Sequence, residues 1–546
     1  MKHHTLTLPL WFVHLFILLL LGGSLLLVGL GNRPLGGSEG RWGEISREML
    51  LTGNWVVPKI NGIPYRDKPA GSYWFIVLAS LPAHCVTETT TRLPSALAIL
   101  LSAFFLYGIT RHFWDGKTAL LASLIFLTTY PVIFWGRKAN GDTLTLAGTL
   151  ICVWIFLRNQ GETKGYRWLY PFFIVAGLTS LMKGLLGFAL PSLGVFPYLL
   201  VKDRSRVFKK KFLFHSSCAL IVAGVIFFIP FFLDILKTHT ESSLYLVYRE
   251  NILRFFHPFD HKAPFFYYFY YIFITVAPWS LFIPFLIVTM VKRRHSLDEG
   301  TRFFGIWFAA LFTFFTLAGS KRGYYLMPAI PPFAALLAHA FDQMGTSLPP
   351  LKLRNFLIRG PAGILIFCGL LAMAFPFSPL AHQIPPSYLK ITQKSAPWAG
   401  GILFASGVVT ELLMGKGRLI HGIFTFGTGV YILYGLLFWS VFPTCARIDS
   451  PVPFCKKVNT LTKGGEVGIY RLADRSILYF YLKDKYLPHF ATPATARAFL
   501  GKNPRSYLIV RGREGLTSLG LRHLKVCATG KIGKNERYFL TCLQGK

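Results

Sequence analysis

Glu39, Arg41, Glu44, Arg47, Glu48, Lys59, Arg66, Asp67 and Lys68 crowd carboxylates and cations into one stretch, SEGRWGEISREMLLTGNWVVPKINGIPYRDKPAGSYWF, at residues 38–75. Carboxylates accept protons or steady a developing positive charge, and cations steady phosphate charge. Held at a lipid surface, the two together suit glycosyl or phosphoryl transfer on a lipid. On composition alone, a solvated interfacial loop is an equal reading. Further along lie Arg137, Lys138 and Asp142, then Lys183-Gly184, then His261-Lys262-Ala263-Pro264. Each has a plain reading: a local ion pair, a tight turn, a loop before a span with the aromatics of 265–271 as an interfacial belt. Taken together they favour function, because the separate plain readings would all have to hold at once.

Positioning these groups falls to an amphipathic helix and a set of membrane spans. Trp42, Ile45 and Met49 recur at helical spacing, with Ser38 as expected N-cap and Glu39 in the first turn. The pattern breaks at Gly53-Asn54, and a turn-rich segment runs through Lys68-Pro69 to Tyr73 and Trp74. The whole chain is 53% hydrophobic with mean hydropathy +0.47, which excludes an ordinary soluble protein. A first run at about 10–30 is too long for a signal-peptide core and reads as a retained span. Apolar runs centred near 102, 127, 150, 175, 192, 223, 280, 310, 333, 368, 406 and 430 predict about thirteen spans in all, at roughly 20 apolar residues each. The shorter run at 72–85, which holds Pro82, is assigned to a re-entrant or interfacial segment.

The net charge is +35. Nucleic acid is set aside as a partner, because the basic residues are spread through short loops between apolar runs and fit anionic lipid better. One set of alternate loops carries Arg111 and Lys117, Arg158, Lys164 and Arg167, the cluster at 202–211, Lys292 to Arg294, Lys352 and Arg354, and Lys416 and Arg418. The positive-inside rule makes that set cytoplasmic. The N-terminus is then cytoplasmic, and the loops at 31–91, 136–142, 236–267 and 319–325 lie outside. These outer loops mix charge with His, Tyr and Trp. Residues 1–442 are expected to form the membrane domain. Residues 443–546 carry 19 Lys and Arg against 6 Asp and Glu, with strand-like runs at 467–470 and 507–510 and helix-like runs at 474–481 and 492–500. They predict a small, basic α/β domain on the outer, periplasmic face. Cys85, Cys152, Cys218 and Cys368 read as packing residues. Cys445, Cys455, Cys527 and Cys542 would form disulfides if their segment faces an oxidising compartment, with pairing unreadable.

Several stretches, in this order, resemble the polyprenyl-phosphate-dependent glycosyltransferases of the GT-C class. The nearest likeness is to the bacterial aminoarabinose transferases that modify lipid A, and a more distant one is to the protein O-mannosyltransferases. The residues that carry it are Ser38 to Leu50, Gly53-Asn54-Trp55, Tyr65-Arg66-Asp67-Lys68-Pro69 with Tyr73-Trp74, and Met182-Lys183-Gly184 with Pro191. Glu250-Asn251-Ile252 with Arg254-Phe255, His261 to Phe265 with Tyr267-Tyr268, and Ser320-Lys321 with Tyr325 and Pro328 complete it.

The resemblance implies a multi-pass inner-membrane enzyme that moves a sugar, an amino sugar among the candidates, from undecaprenyl phosphate to lipid A or another acceptor at the periplasmic face. A protein or glycan hydroxyl acceptor is the alternative, and a lipid-binding or transport protein a weaker one. Expected catalytic carboxylates are Glu39, Asp67 and Asp142. Arg41, Lys68, Lys183, Arg254, His261 and Lys321 are the expected donor-phosphate cations, and Arg binds phosphate bidentately. Ser38, Trp42, Tyr65, Tyr73, Tyr267 and Tyr325 are expected to line acceptor or sugar. Cofactor need is open; Glu39, Asp67 and His261 are the candidate ligands should a divalent metal take part. Two departures stand out. The family's first outer helix usually opens with Asp-Glu, where this chain has Ser38-Glu39, and Asp67 stands where Glu is usual. A hydroxyl acceptor needs a base, whereas a lipid A phosphate is already ionised, so Ser38 favours a phosphate acceptor or else an inactive or reassigned homologue.

Overall fold

The computed structural model describes residues 9–159, 165–240, 242–258, 260–345, 351–471, 476–482, 486–521, 524–532 and 536–543. Lys164 and Asp474, used above, lie outside the described residues. By contact density the chain forms two compact units. One comprises residues 1–28, 66–72 and 92–439; the other comprises 29–65, 73–91 and 440–546.

The first unit is helical, as a chain in hydrocarbon must be when every backbone group needs an internal partner. Across both units, eight helices among the described residues are long and apolar enough to span a membrane, or up to ten if each of two bent pairs counts as one span. Thirteen were expected. The runs near 150, 175 and 192 make shorter helices, Asp142–Arg158, Leu169–Lys183 and Leu186–Lys202, of 17, 15 and 17 residues. The bent pairs, Gly116–Leu127 with Tyr130–Gly136 and Tyr267–Thr275 with Trp279–Lys292, turn by 64° and 113°. Their breaks satisfy one another. The Tyr130 N–H donates to the Ala277 carbonyl at 2.8 Å, and Trp279 Nε1 donates to Thr128 Oγ1 at 3.0 Å. The first bond joins a backbone N–H freed at one break to a carbonyl at the other, and the second ties the two breaks through side chains.

The second unit holds the polar stretch and the C-terminal sheet. The outer helix runs Glu39–Thr52 and ends at Gly53, whose φ of 66° is the left-handed conformation glycine supplies. Ser38 stands at the expected N-cap position, but its own dihedrals are helical and its side chain makes no capping bond. Gly40 and Gly43, three apart on one face, seat the helix on Ser476–Leu482: a Cβ on Gly40 would stand 2.7 Å from the Ile477 backbone. A two-stranded hairpin follows, β1 (Lys59–Ile60) with β2 (Ile63–Pro64). Asn61 at its tip exchanges two hydrogen bonds of 2.8 Å with the Leu487 backbone.

The C-terminal strands are β3 (Glu466–Tyr470), β4 (His489–Phe490), β5 (Ser506–Arg511), β6 (Leu524–Ile532) and β7 (Glu536–Leu543), in sheet order β4-β3-β5-β7-β6. β3 pairs in parallel with β4 and β5, and β7 pairs antiparallel with β5 and β6. Tyr470, Leu508 and Val510 meet Ala496, Leu500 and Leu519 in its core. The helix Pro493–Lys502 is capped by the Thr492 side chain, which accepts from Thr495 N–H. On the β6–β7 hairpin the free thiols of Cys527 and Cys542 face each other, Sγ to Sγ 2.7 Å.

Candidate functional site

Residues 66–72 are pinned at both ends within the first unit. Arg66 donates to the buried Asp234 carboxylate at 2.9 Å and to Thr238 Oγ1 at 3.0 Å, and Ser72 Oγ donates to the Met182 carbonyl at 2.9 Å. Between those anchors, Asp67, Lys68 and Pro69 line a cavity of about 330 Å³. Lys183 and Gly184 line it too. Gly184 turns the chain between two helices at φ 80°, and its N–H closes on the Ser180 carbonyl at 2.7 Å. That turn approaches so closely that a Cβ on Gly141 would stand 2.5 Å from the Met182 carbonyl oxygen. Lys183-Gly184 is therefore a tight turn and also presents a cation to the cavity. Lys183 pairs with Asp142 and lies 4.5 Å over the Tyr325 ring. The ion pair expected among Arg137, Lys138 and Asp142 gives way to this longer-range one, while Arg137 donates to the Leu25 and Val28 carbonyls.

A π-helical turn, Tyr248–Leu253, supplies the opposite wall. Such turns recur at functional sites. Asn251 docks it, accepting the Leu185 N–H at 2.8 Å. Glu250 accepts from Lys68 Nζ at 2.9 Å, Arg254 Nη1 at 2.6 Å and Arg249 Nη2 at 3.1 Å. Arg254 also grips Asp260 at 2.6 Å, and Arg249 grips Asp67 at 3.0 Å. Phe227, Phe231, Leu246, Phe255, Phe314 and Phe315 are among the side chains that give the lining its apolar surface. Cations beside a long apolar wall suit an anionic head on a hydrocarbon chain.

The expected residues divide. Asp67, Lys68, Lys183, Arg254 and Tyr325 line this one cavity, and Asp142 reaches it through Lys183. His261 lies beside it, 3.5 Å from Asp260 and in contact with Arg322. Lys321 does not line it: buried, it donates to the Ala318 carbonyl, and burial lowers its pKa. Tyr267 stacks on Tyr271, centroids 5.1 Å apart, and is likewise absent from the lining. The second unit holds the rest. Glu39, 1% exposed, accepts from Arg33 at 2.8 Å and from Gly36 N–H at 3.1 Å. Arg41 donates to the Tyr65 hydroxyl at 2.6 Å, and Trp42 packs on Tyr73 with centroids 4.9 Å apart. Ser38 makes no bond to the helix start. Among the described residues, no group of three or more His, Cys, Asp and Glu is placed to hold a metal ion.

Sequence reasoning passed over Arg249 and Asp260 and gave Glu250 no role. The i,i+4 spacing of Glu250 and Arg254 was a usable signal. Glu44 and Glu48, named from the sequence without a role, are buried in the outer helix at 1% and 4% exposure. Glu44 takes both arms of Arg47, while Glu48 accepts the Gly62 N–H at 3.1 Å. Burial, then the Glu44 charge, pushes the Glu48 carboxyl up to about 7. A carboxyl raised on folding stabilises when protonated, so its contribution is full below the unfolded pKa and is lost as pH rises through about 7. Melting temperature in detergent is expected to fall from about pH 5 to about pH 8, and Glu48→Gln to flatten that slope. An unchanged slope would contradict the assignment.

Comparison with known proteins follows the same lines. Residues 67–232 match the family model described as dolichyl-phosphate-mannose-protein mannosyltransferase. The chain is 31% identical over 392 residues to the undecaprenyl phosphate-alpha-4-amino-4-deoxy-L-arabinose arabinosyl transferase of Enterobacter sp. (strain 638), covering 69% of each chain. It is 30% identical over 307 residues to a Proteus mirabilis (strain HI4320) protein of the same description, numbered 2, covering 55% of this chain and 54% of that one. In fold it is similar to the crystal structure of ArnT from Cupriavidus metallidurans bound to undecaprenyl phosphate, with TM-score 0.77 and 22% identity over 96% of this chain and 97% of that one. With its spanning helices, its cation-lined cavity and these relatives, the chain belongs to the family of undecaprenyl phosphate-alpha-4-amino-4-deoxy-L-arabinose arabinosyl transferases, multi-pass membrane glycosyltransferases of the GT-C fold.

Proposed function

We propose that this chain transfers a sugar from undecaprenyl phosphate to lipid A or a related acceptor at the periplasmic face of the inner membrane. The carrying observation is the cavity in which Lys68, Lys183, Arg254 and Tyr325 share one lining with six phenylalanines and further apolar side chains. Lys68 and Arg254 would hold the donor phosphate, and Asp67 and Asp142 would steady positive charge on the sugar carbon; Glu39, in the outer helix, is a separate candidate carboxylate. The relatives' descriptions make 4-amino-4-deoxy-L-arabinose the first sugar to test. Ser38, where the family usually carries Asp, supports an acceptor that needs no base, such as a lipid A phosphate. The N-terminus is cytoplasmic in this reading, residues 1–442 form the membrane domain, and the basic segment 443–546 faces the periplasm, where an anionic surface would attract it.

Proteoliposomes given a synthetic undecaprenyl-phosphate-linked aminoarabinose and lipid A are expected to yield glycosylated lipid A and free undecaprenyl phosphate in equal amounts. Release of no lipid phosphate would sink the enzyme reading in favour of a transporter or lipid-binding protein. A hydroxyl acceptor, as the mannosyltransferase match over 67–232 suggests, would show as turnover with a protein or glycan and none with lipid A.

A further inference from the structure

We propose that Glu250 is an internal competitor of the lipid phosphate, a carboxylate that takes back Lys68 and Arg254 from the spent carrier and so speeds its release. The inference rests on the donor reading above. Around the cavity Lys68, Arg249 and Arg254 face Glu250, Asp67 and Asp260, with Arg322 at the edge, 4.0 Å from Asp260, so each of the three central cations is already held by a carboxylate. Glu250 touches all three cations and is the most buried of the three carboxylates, its side chain 12% exposed against 47% for Asp67 and 33% for Asp260. Burial works against its charge, but Lys68, then Arg254 and Arg249, outweigh it and hold the carboxyl below the usual range. It is ionised at neutral pH.

A phosphate entering this cavity must displace the Glu250 oxygens from Lys68 and Arg254 or share the two cations with them. The donor is a phosphodiester with one negative charge. Transfer breaks the bond between the anomeric carbon and the phosphate oxygen, whose electron pair stays on that oxygen while the acceptor oxygen bonds the carbon. The product is a phosphomonoester with a charge of about −1.5 to −2. Without Glu250, Lys68 would lose its carboxylate partner and Arg249 and Arg254 would be left with Asp67 and Asp260, so the cations would hold that product more tightly than the donor, and product release sets the turnover of many enzymes. A carboxylate fixed on the π-helical turn, within bonding distance of the same nitrogens, offsets the added attraction without leaving the cations unpaired afterwards.

The test measures undecaprenyl phosphate binding and steady-state transfer on the full-length protein in nanodiscs. Glu250→Gln keeps the shape and removes the charge. It is expected to bind undecaprenyl phosphate roughly tenfold more tightly, the effect of one partly buried charge pair. Product inhibition should strengthen, with kcat and donor KM falling together, and Glu250→Asp should restore much of the wild-type behaviour. Damage to the fold weakens binding and cannot imitate this gain. Binding by Glu250→Gln equal to or weaker than wild type overturns the role of Glu250 while leaving the donor reading intact. Failure of the wild type to bind undecaprenyl phosphate overturns the donor reading and the competitor with it.

Discussion

Lys68→Ala is expected to lower kcat/KM by roughly 10²- to 10³-fold, the scale of removing one preorganised group that stabilises a developing anion. The Lys68 ammonium is held at 2.9 Å by Glu250, on a segment anchored at Arg66 and Ser72, so it is positioned before any substrate arrives. As the sugar departs, charge collects on the phosphate oxygen, and a cation already in place needs no reorganisation to meet it. Arg254→Ala should cost as much or more, because Arg254 is gripped from both sides by Glu250 and Asp260 and its removal leaves both carboxylates short of a partner. Both residues act on one phosphate, so the double variant should fall well short of the product of the two effects. Lys68→Arg keeps the charge and moves the donors, and separates position from charge. Undecaprenyl phosphate released in proteoliposomes is the readout, with melting temperature as the control for folding. Wild-type transfer by Lys68→Ala would remove the lysine from the site.

What the sequence made legible follows from the range over which its signals act. The outer helix was readable because Trp42, Ile45 and Met49 repeat at helical spacing and Gly53 ends them, all within one local stretch. The expected strands at 467–470 and 507–510 meet observed strands Glu466–Tyr470 and Ser506–Arg511 for the same reason. Lys183-Gly184 was readable as a turn because a glycine between two apolar runs has few other uses. The site was only partly legible, since its bonds join positions far apart in the chain. Arg66 meets Asp234 across 168 residues, and Lys68 meets Glu250 across 182. No periodicity encodes those pairings. A π-turn has no sequence period distinct from the α-helix around it, so the wall carrying Arg249, Glu250 and Arg254 read as part of an outer loop, with only Arg254 given a role. Burial was hidden too: among the charged groups of the outer helix, nothing in the spacing separated buried Glu44 and Glu48 from half-exposed Arg41.

Asp67→Asn is the variant that tells the candidate carboxylates apart. Asp67 lines the cavity, is 47% exposed and is held by Arg249 at 3.0 Å, so it is open to a sugar and already oriented. Asn keeps the volume and can still accept from Arg249, so the fold should survive while the charge that favours an oxocarbenium-like carbon is gone. The expected result is a fall in kcat of about 10²-fold or more, with undecaprenyl phosphate affinity changed little. Glu39 stands in a different situation: it is a buried carboxylate, one oxygen of which is shared between the Arg33 guanidinium and the Gly36 N–H of the segment just before its helix. Glu39→Gln weakens a charge-assisted bond worth about 1.5–3 kcal/mol, and should lower the melting temperature more than it lowers kcat. Asp142→Asn falls between them, because it releases Lys183 over the Tyr325 ring and disturbs donor binding and charge together. If Glu39→Gln loses turnover at unchanged stability while Asp67→Asn turns over normally, the catalytic carboxylate is the one in the outer helix, and the cavity at Lys68 serves only to bind the carrier.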